Sequence, residues 1–202
     1  MARGRAANYA EQQAALLEHA ARLFAERGFQ GTSMLELATA AGVSKALLYH
    51  YYEDKYQLLV AIAEGHIDRL LALVGDVAVA ALPPGARLAM LIERIVNEYA
   101  SAQCHHQVLV QDLKYLDAKD QRRIRGKERK VVAAFAGAIA EAHPALAGKQ
   151  LEKPLTMLLF GMINWLFTWF QEDGALDYAQ MARLVSDFVR GGLREVSQLG
   201  SE

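Results

Sequence analysis

Residues 32–55 place three helix-start signals at short, fixed distances, which leaves room for little except short packed helices. Ser33-Met34-Leu35-Glu36 has the form of a capping box, in which a hydroxyl and a carboxylate satisfy the first amides of a helix. Gly42 supplies a turn that needs an unhindered backbone. Ser44 can cap a second helix, a short one running through His50. Asp54-Lys55-Tyr56-Gln57 is another capping box and opens a longer helix. Leu35, Leu37, Val43 and Leu48 are expected to form a small core, with Ala38 and Gly42 letting the two helices approach. Two short helices joined by a tight turn have the shape of a helix-turn-helix.

The remaining sequence reads as helix almost throughout. No segment alternates with period two for long, and four prolines, Pro83, Pro84, Pro144 and Pro154, help to divide the chain. Leu16, Leu17, Ala20, Leu23 and Phe24 recur at helical spacing, predicting a helix from about Tyr9 to Arg27 that ends at Gly28. The helix opened at Asp54 is expected to reach about Leu73, with Gly75 bending or ending it. Further helices are expected from Pro84 to about Gln103, His105–Leu116, Ala118 to before Pro144, Lys149–Gln171 and Asp177–Val196. The expected fold is all-α with about nine helices. Residues 1–55 form a three-helix head and residues 56–202 a helical body.

Composition narrows the classes of function. A chain of 202 residues, 53% hydrophobic, can bury a sizeable core. Lys and Arg number 22 against 23 Asp and Glu, so nucleic-acid affinity would have to come from local charge placement and from duplicating a site by dimerisation. One cysteine, Cys104, excludes an intrachain disulfide and a cysteine-rich zinc site. The N-terminus has no apolar run behind Arg3 and Arg5, so no signal peptide is expected and a cytoplasmic setting fits. The longest apolar stretch, Leu155–Phe170, is short of the roughly 20 residues a membrane span needs. Adjacent His105 and His106 point to different helix faces and make a poor chelating pair. Nothing else completes a metal set or a catalytic triad, so neither an enzyme nor a cofactor is expected.

In the helix after Ser44, the residues Ser44, Lys45, Ala46, Leu47, Tyr49 and His50 fall on or near the outward side. Lys45 can bond guanine acceptors or a phosphate, and Ala46 and Leu47 can touch a thymine methyl. Tyr49, His50, Tyr51 and Lys55 are placed to grip phosphates, with the amides and the Thr32 or Ser33 hydroxyl at the start of the preceding helix. Tyr51 and Tyr52 read equally as packing residues. The pattern Gly28-Phe29, Thr32-Ser33, Leu37-Ala38, Ala41-Gly42-Val43-Ser44-Lys45, Leu48-Tyr49-His50-Tyr51-Tyr52, Asp54-Lys55 and Leu58-Leu59 resembles the tetracycline-repressor (TetR) family of transcriptional regulators over about residues 10–60. The resemblance implies an all-helical homodimer with a DNA-binding head and a ligand-sensing body. It also implies DNA contacts from the threonine, the second short helix, the tyrosine and the lysine. The family commonly has glycine and then threonine where this chain has Ala46 and Leu47, so a hydroxyl contact is missing at Leu47.

In the body, the stretch Lys149–Gln171 is apolar nearly all round, with Trp165 and Trp169 one turn apart. A helix apolar on every face is buried on every face. With the stretch 177–196, which carries Met181, Leu184, Val185, Phe188, Val189 and Leu193, it can form a four-helix homodimer interface, or both can be wholly intramolecular. Arg122, Arg123, Arg125, Lys127, Arg129 and Lys130 form a basic run that is either a solvated face or a rim for an anion beside the apolar segment containing Phe135. Asn97, Tyr99, Gln103 and Asn164 could line a pocket or sit in the core or on the surface. The segments 105–116 and 159–169 resemble family members that govern fatty-acid or phenylacetate breakdown. That resemblance implies an acyl- or phenylacetyl-coenzyme A effector, its acyl or aryl part in the apolar body and its phosphates on the basic run; Tyr99, Gln103, Phe135, Asn164, Trp165 and Trp169 are further candidates for effector contact. The expected function is thus a repressor released from a palindromic double-stranded DNA operator by a small-molecule effector. The alternative is a ligand-binding or interaction protein with a weak or non-functional head.

Overall fold

In a computed structural model, residues 2–146, 150–171 and 174–198 are described. Among them the chain is all-helical, with α1 (Ala2–Arg27), α2 (Met34–Ala40), α3 (Lys45–Tyr51), α4 (Lys55–Val79), α5 (Pro84–Ser101), α6 (Gln103–Asp112), α7 (Ala118–Ala142), α8 (Glu152–Asn164) and α9 (Tyr178–Gln198). Short 3-10 turns follow at Leu113–Tyr115, Pro144–Leu146 and Leu166–Thr168. No helix of the described residues is long and apolar enough to cross a membrane.

The chain packs as two compact units. One holds residues up to Ile67 together with Ala102–Ile124, and the other holds Asp68–Ser101 together with residues from Arg125 onward. The first unit therefore takes in the first half of α4, α6 and the start of α7 besides α1–α3. Leu16, Phe24, Leu37, Leu48, Leu58, Leu59, Ile62 and Ile124 form its interior. Between α1 and α6, Gln107 Nε2 donates to the Ala25 carbonyl at 2.9 Å, and His105 Nε2 lies 3.5 Å from Glu18 Oε1. His66 Nε2 on α4 meets His106 Nδ1 on α6 at 3.3 Å, both rings buried. In the second unit α9 packs against α5 and α8 around Leu88, Ile92, Ile95, Phe135, Ile139, Leu159, Ile163, Met181 and Val185.

Several expected boundaries move. α1 starts at Ala2 rather than near Tyr9. Gly75 lies inside α4, which continues to Val79. The segment expected over His105–Leu116 divides into α6 and a 3-10 turn. The stretch expected to be helical from Lys149 to Gln171 begins at Glu152 and stops at Asn164; Lys149 lies outside the described residues. At that stop, the Thr168 hydroxyl donates to the Trp165 carbonyl at 2.7 Å, and the Phe170 amide donates to the Leu166 carbonyl at 2.8 Å. Those bonds belong to the 3-10 turn that follows the helix and hold the chain in its new direction. Leu166 and Phe170 turn inward, while Trp165 and Trp169 face out.

Candidate nucleic-acid interface

The turn elements of the head form as the sequence signals require. Ser33 Oγ accepts the Glu36 amide at 3.3 Å, and the Glu36 carboxylate accepts the Ser33 amide at 2.8 Å, completing the capping box. These bonds and Arg27, 3.1 Å away, hold the Glu36 carboxyl below its ordinary range. At the other end of α2, Gly42 takes φ +65°, its amide reaches Thr39 O at 3.1 Å, and the Val43 amide reaches Ala38 O at 3.0 Å. That paired bonding is a helix stop that a left-handed residue makes possible. Ser44 then caps α3, its Oγ accepting the Leu47 amide at 3.1 Å. Leu37 and Leu48 are fully buried between these short helices.

One expected core residue is not in the core. Leu35 is exposed, because two positions along a helix turn it about 200° from Leu37. The small core is made by Leu37, Ala38 and Leu48, with Val43 half-buried.

On α3 the side chains of Lys45, Ala46, Tyr49 and His50 are exposed on one helix, beginning at the exposed Ser44. Lys45 Nζ lies 5.6 Å from the centre of the Tyr49 ring one turn on, a cation–π distance. Leu47 is half-buried and lines a groove of about 190 Å³ with Leu16, Ala41, Val43 and Tyr51. Tyr51 is tied to α1: its hydroxyl donates to Gln12 Oε1 at 2.6 Å and its ring lies 4.6 Å from that of Tyr9. Tyr52 is buried, and burial pushes its phenol up.

Three of the named residues have their polar atoms engaged by the head's own backbone or side chains. The Thr32 hydroxyl is buried and donates to the Gly28 carbonyl at 3.0 Å. Ser33 is occupied by the capping box. Lys55 Nζ donates to the carbonyls of Phe29 and Thr32 at 2.9 Å each and of Gln30 at 3.3 Å. The sequence named Lys55 but gave no sign of this cradle, because its acceptors are backbone atoms more than 20 positions away.

Of the body residues named for an effector, those in the second unit fall in more than one place. Within the second unit, the Tyr99 hydroxyl donates to Asn164 Oδ1 at 2.9 Å, and Phe135 meets Phe160 edge-on at 5.0 Å. Burial first, then the Glu128 carboxylate, raises the Tyr99 phenol. Glu128 itself is raised by burial, against the pull of Arg125 and Arg129. Trp165 and Trp169 instead lie on an open apolar groove of about 430 Å³ with Met162, Leu184 and Phe188. Gln103 belongs to the first unit. The basic run is split by its partners. Arg123 binds Glu64 at 2.9 Å and Asp120, and Lys127 binds Asp68 at 2.7 Å. Arg122, Arg125, Arg129 and Lys130 are exposed. Among the described residues no group of three or more His, Cys, Asp or Glu could hold a metal ion.

Comparison with known proteins agrees with this geometry. Residues 16–62 match the model for bacterial regulatory proteins of the tetR family, and residues 81–193 match that for the tetracyclin repressor-like C-terminal domain. The HTH-type transcriptional repressor KstR2 of Rhodococcus jostii is 29% identical over 109 residues, 52% of each chain. The chain spans about half the length of the curated relatives it matches. A TetR-family regulator from Bordetella parapertussis superposes with a TM-score of 0.83 at 29% identity, covering 88% of this chain and 93% of that one. AibR, solved in complex with isovaleryl coenzyme A and operator DNA, superposes with a TM-score of 0.77 at 28% identity, covering 88% and 97%. With both of its halves matched, and with a capped helix-turn-helix in the head, the chain belongs to the tetR family of bacterial regulatory proteins.

Proposed function

We propose that the protein is a homodimeric transcriptional repressor that leaves a palindromic operator when an acyl-coenzyme A binds its body. The observation that carries the DNA half of this reading is the exposed row Ser44, Lys45, Ala46, Tyr49 and His50 on a seven-residue helix seated on the buried Leu37 and Leu48. A helix of that length fits a major groove, its first residues against base edges and its last against phosphates. Lys45 suits guanine O6 and N7 or a phosphate, Ala46 a thymine methyl, and Tyr49 and His50 the backbone. Leu47 and Tyr51 serve to seat α3 on α1, since both line the groove between them.

The homodimer rests on α8 and α9. On α9 the buried Met181, Val185 and Val189 and the exposed Leu184 and Phe188 adjoin, because steps of three and four positions turn a helix by only about 60° one way or 40° the other. The apolar arc is thus wider than one subunit covers. Trp165 and Trp169 extend it from the end of α8. Two such faces, related by a twofold axis, bury each other, and a palindrome read by two α3 helices has half-sites about 34–36 Å apart or as the operator length dictates.

An acyl-coenzyme A, isovaleryl coenzyme A, is what a structural relative at 28% identity, AibR, is solved with. Here Tyr99 and Asn164 can orient a polar group inside the second unit, and the exposed Arg125, Arg129 and Lys130 can meet phosphates. Anisotropy titration against duplexes selected from random sequence tests the DNA reading. Specific, salt-dependent binding is expected, and its absence would overturn it. Thermal-shift measurement with aliphatic and aryl acyl-coenzyme A thioesters tests the effector reading, since a ligand that binds only the folded state raises the melting temperature. A flat response across both series would remove the effector and leave the DNA reading standing.

A further inference from the structure

We propose that Lys55 acts in DNA binding as a positioning residue that sets the α1–α2 turn, and not as a phosphate ligand. This rests on the DNA-binding reading above. Its ammonium has three donors, and three backbone carbonyls of the turn face it: Phe29 and Thr32 at 2.9 Å and Gln30 at 3.3 Å. The same nitrogen lies 4.6 Å from the centre of the Phe29 ring. An ammonium so surrounded would have to abandon the turn in order to reach a phosphate.

The turn itself is built to be held in one shape. Gly28 takes φ +75°, and a Cβ on Gly31 would sit 2.6 Å from the Arg27 carbonyl. The Thr32 hydroxyl closes the loop from within by donating to Gly28. Phe29 packs edge-on to Phe24 and stacks on Tyr115, with ring centres 5.4 and 5.5 Å apart. Its amide faces the buried Asp112 at the end of α6. The Phe29 peptide is therefore clasped on its N–H side by α6 and on its C=O side by the first residue of α4. The next residue past the turn is Ser33, the cap of α2, and α2 carries α3. Lys55 thus fixes the direction in which the helix-turn-helix leaves α1.

Two substitutions separate this from a phosphate contact. Lys55→Met keeps the aliphatic stem and removes the donors. Lys55→Arg keeps the charge, but a planar fork cannot point three donors at one small set of carbonyls, whereas it serves a phosphate as well as a lysine does. The measurements are binding to a short random-sequence duplex at several salt concentrations, and amide exchange of residues 28–36 in the free protein, at temperatures where each variant is folded. Expected for both variants is binding weaker by about tenfold or more, with faster exchange confined to the turn and the start of α2. The slope of log affinity against log salt is expected to stay at the wild-type value. A slope smaller by roughly 0.9 per subunit with unchanged exchange would mean a lost phosphate contact and overturn the proposal. Wild-type affinity in Lys55→Arg would also overturn it, as would faster exchange with no loss of affinity. If the wild-type protein itself binds no duplex, the DNA reading fails first, and that failure is recognised before any variant is compared.

Discussion

Tyr99 and Asn164 stand 65 positions apart, yet the hydroxyl of one donates to the amide oxygen of the other at 2.9 Å. Both were legible in the sequence as polar residues within apolar segments, but their pairing was not, since periodicity places a residue on a face and does not name its partner. Glu128 completes the group, and no sequence signal marked it: it sits in a basic run and reads as a solvated charge. In the fold it is pushed up by burial, and its charge in turn raises Tyr99. The sign of its effect on stability follows. A carboxyl raised above its ordinary value of 4.5 holds its proton in the folded state at pH values where the unfolded chain has lost it. Stability therefore falls as pH rises from 4.5 through the raised value, and at neutral pH the charged group is a net loss. Glu128→Gln is expected to raise the melting temperature at pH 7.5, with the gain shrinking toward pH 4.5, in parallel scanning calorimetry of both proteins. An equal gain at both pH values would assign the effect to packing.

At the scale of elements, boundaries set by local chemistry were legible and those set by tertiary packing were not. Ser33, Gly42 and Ser44 start and stop α2 and α3 where the sequence placed them, because each acts on amides or carbonyls within a few residues. α8 ends at Asn164 instead of running to Gln171 because its termination depends on Leu166 and Phe170 turning into a core built from other helices, Phe170 against Tyr178 at 4.8 Å. Leu35 was misplaced for a different reason: two positions along a helix put it on the face opposite Leu37, so the two could not share one core. The local devices can be tested singly. Ser33→Ala removes the acceptor for the Glu36 amide and is expected to cost about 1 kcal/mol of stability at neutral pH. The reciprocal bond needs an ionised Glu36, whose carboxyl is held low by Ser33 and then by Arg27. A lowered carboxyl contributes stability that is present above its ordinary 4.5 and is lost as pH falls through the folded value. The difference between wild type and Ser33→Ala in urea titrations is therefore expected to narrow as pH falls below 4.5. A gap that widens would contradict the capping box as its source.

For the whole molecule, the near balance of charge, 22 basic against 23 acidic residues, decides how DNA affinity can arise. On α3 a single head offers Lys45 and a few neutral donors, too little for tight binding unless two heads act together. In the proposed homodimer the second contact becomes intramolecular and gains roughly 10²–10⁴ in affinity from effective concentration alone. The apolar face on α8 and α9 is the place to break that linkage. Leu158, Trp165, Trp169 and Phe188 are each 59–68% exposed in one chain, on a surface where a monomer gains nothing from them. Leu158→Asp combined with Phe188→Asp would bring four like charges together across a twofold axis while touching no buried side chain of the single subunit. The double variant is expected to sediment as a monomer, to keep its helical circular dichroism, and to bind a selected palindromic duplex at least about a hundredfold more weakly. Its binding to an isolated half-site is expected to match that of the wild type, because the α3 contacts are untouched. Equal loss on the half-site would place the damage in the head, and a variant that remains dimeric would move the interface away from α8 and α9.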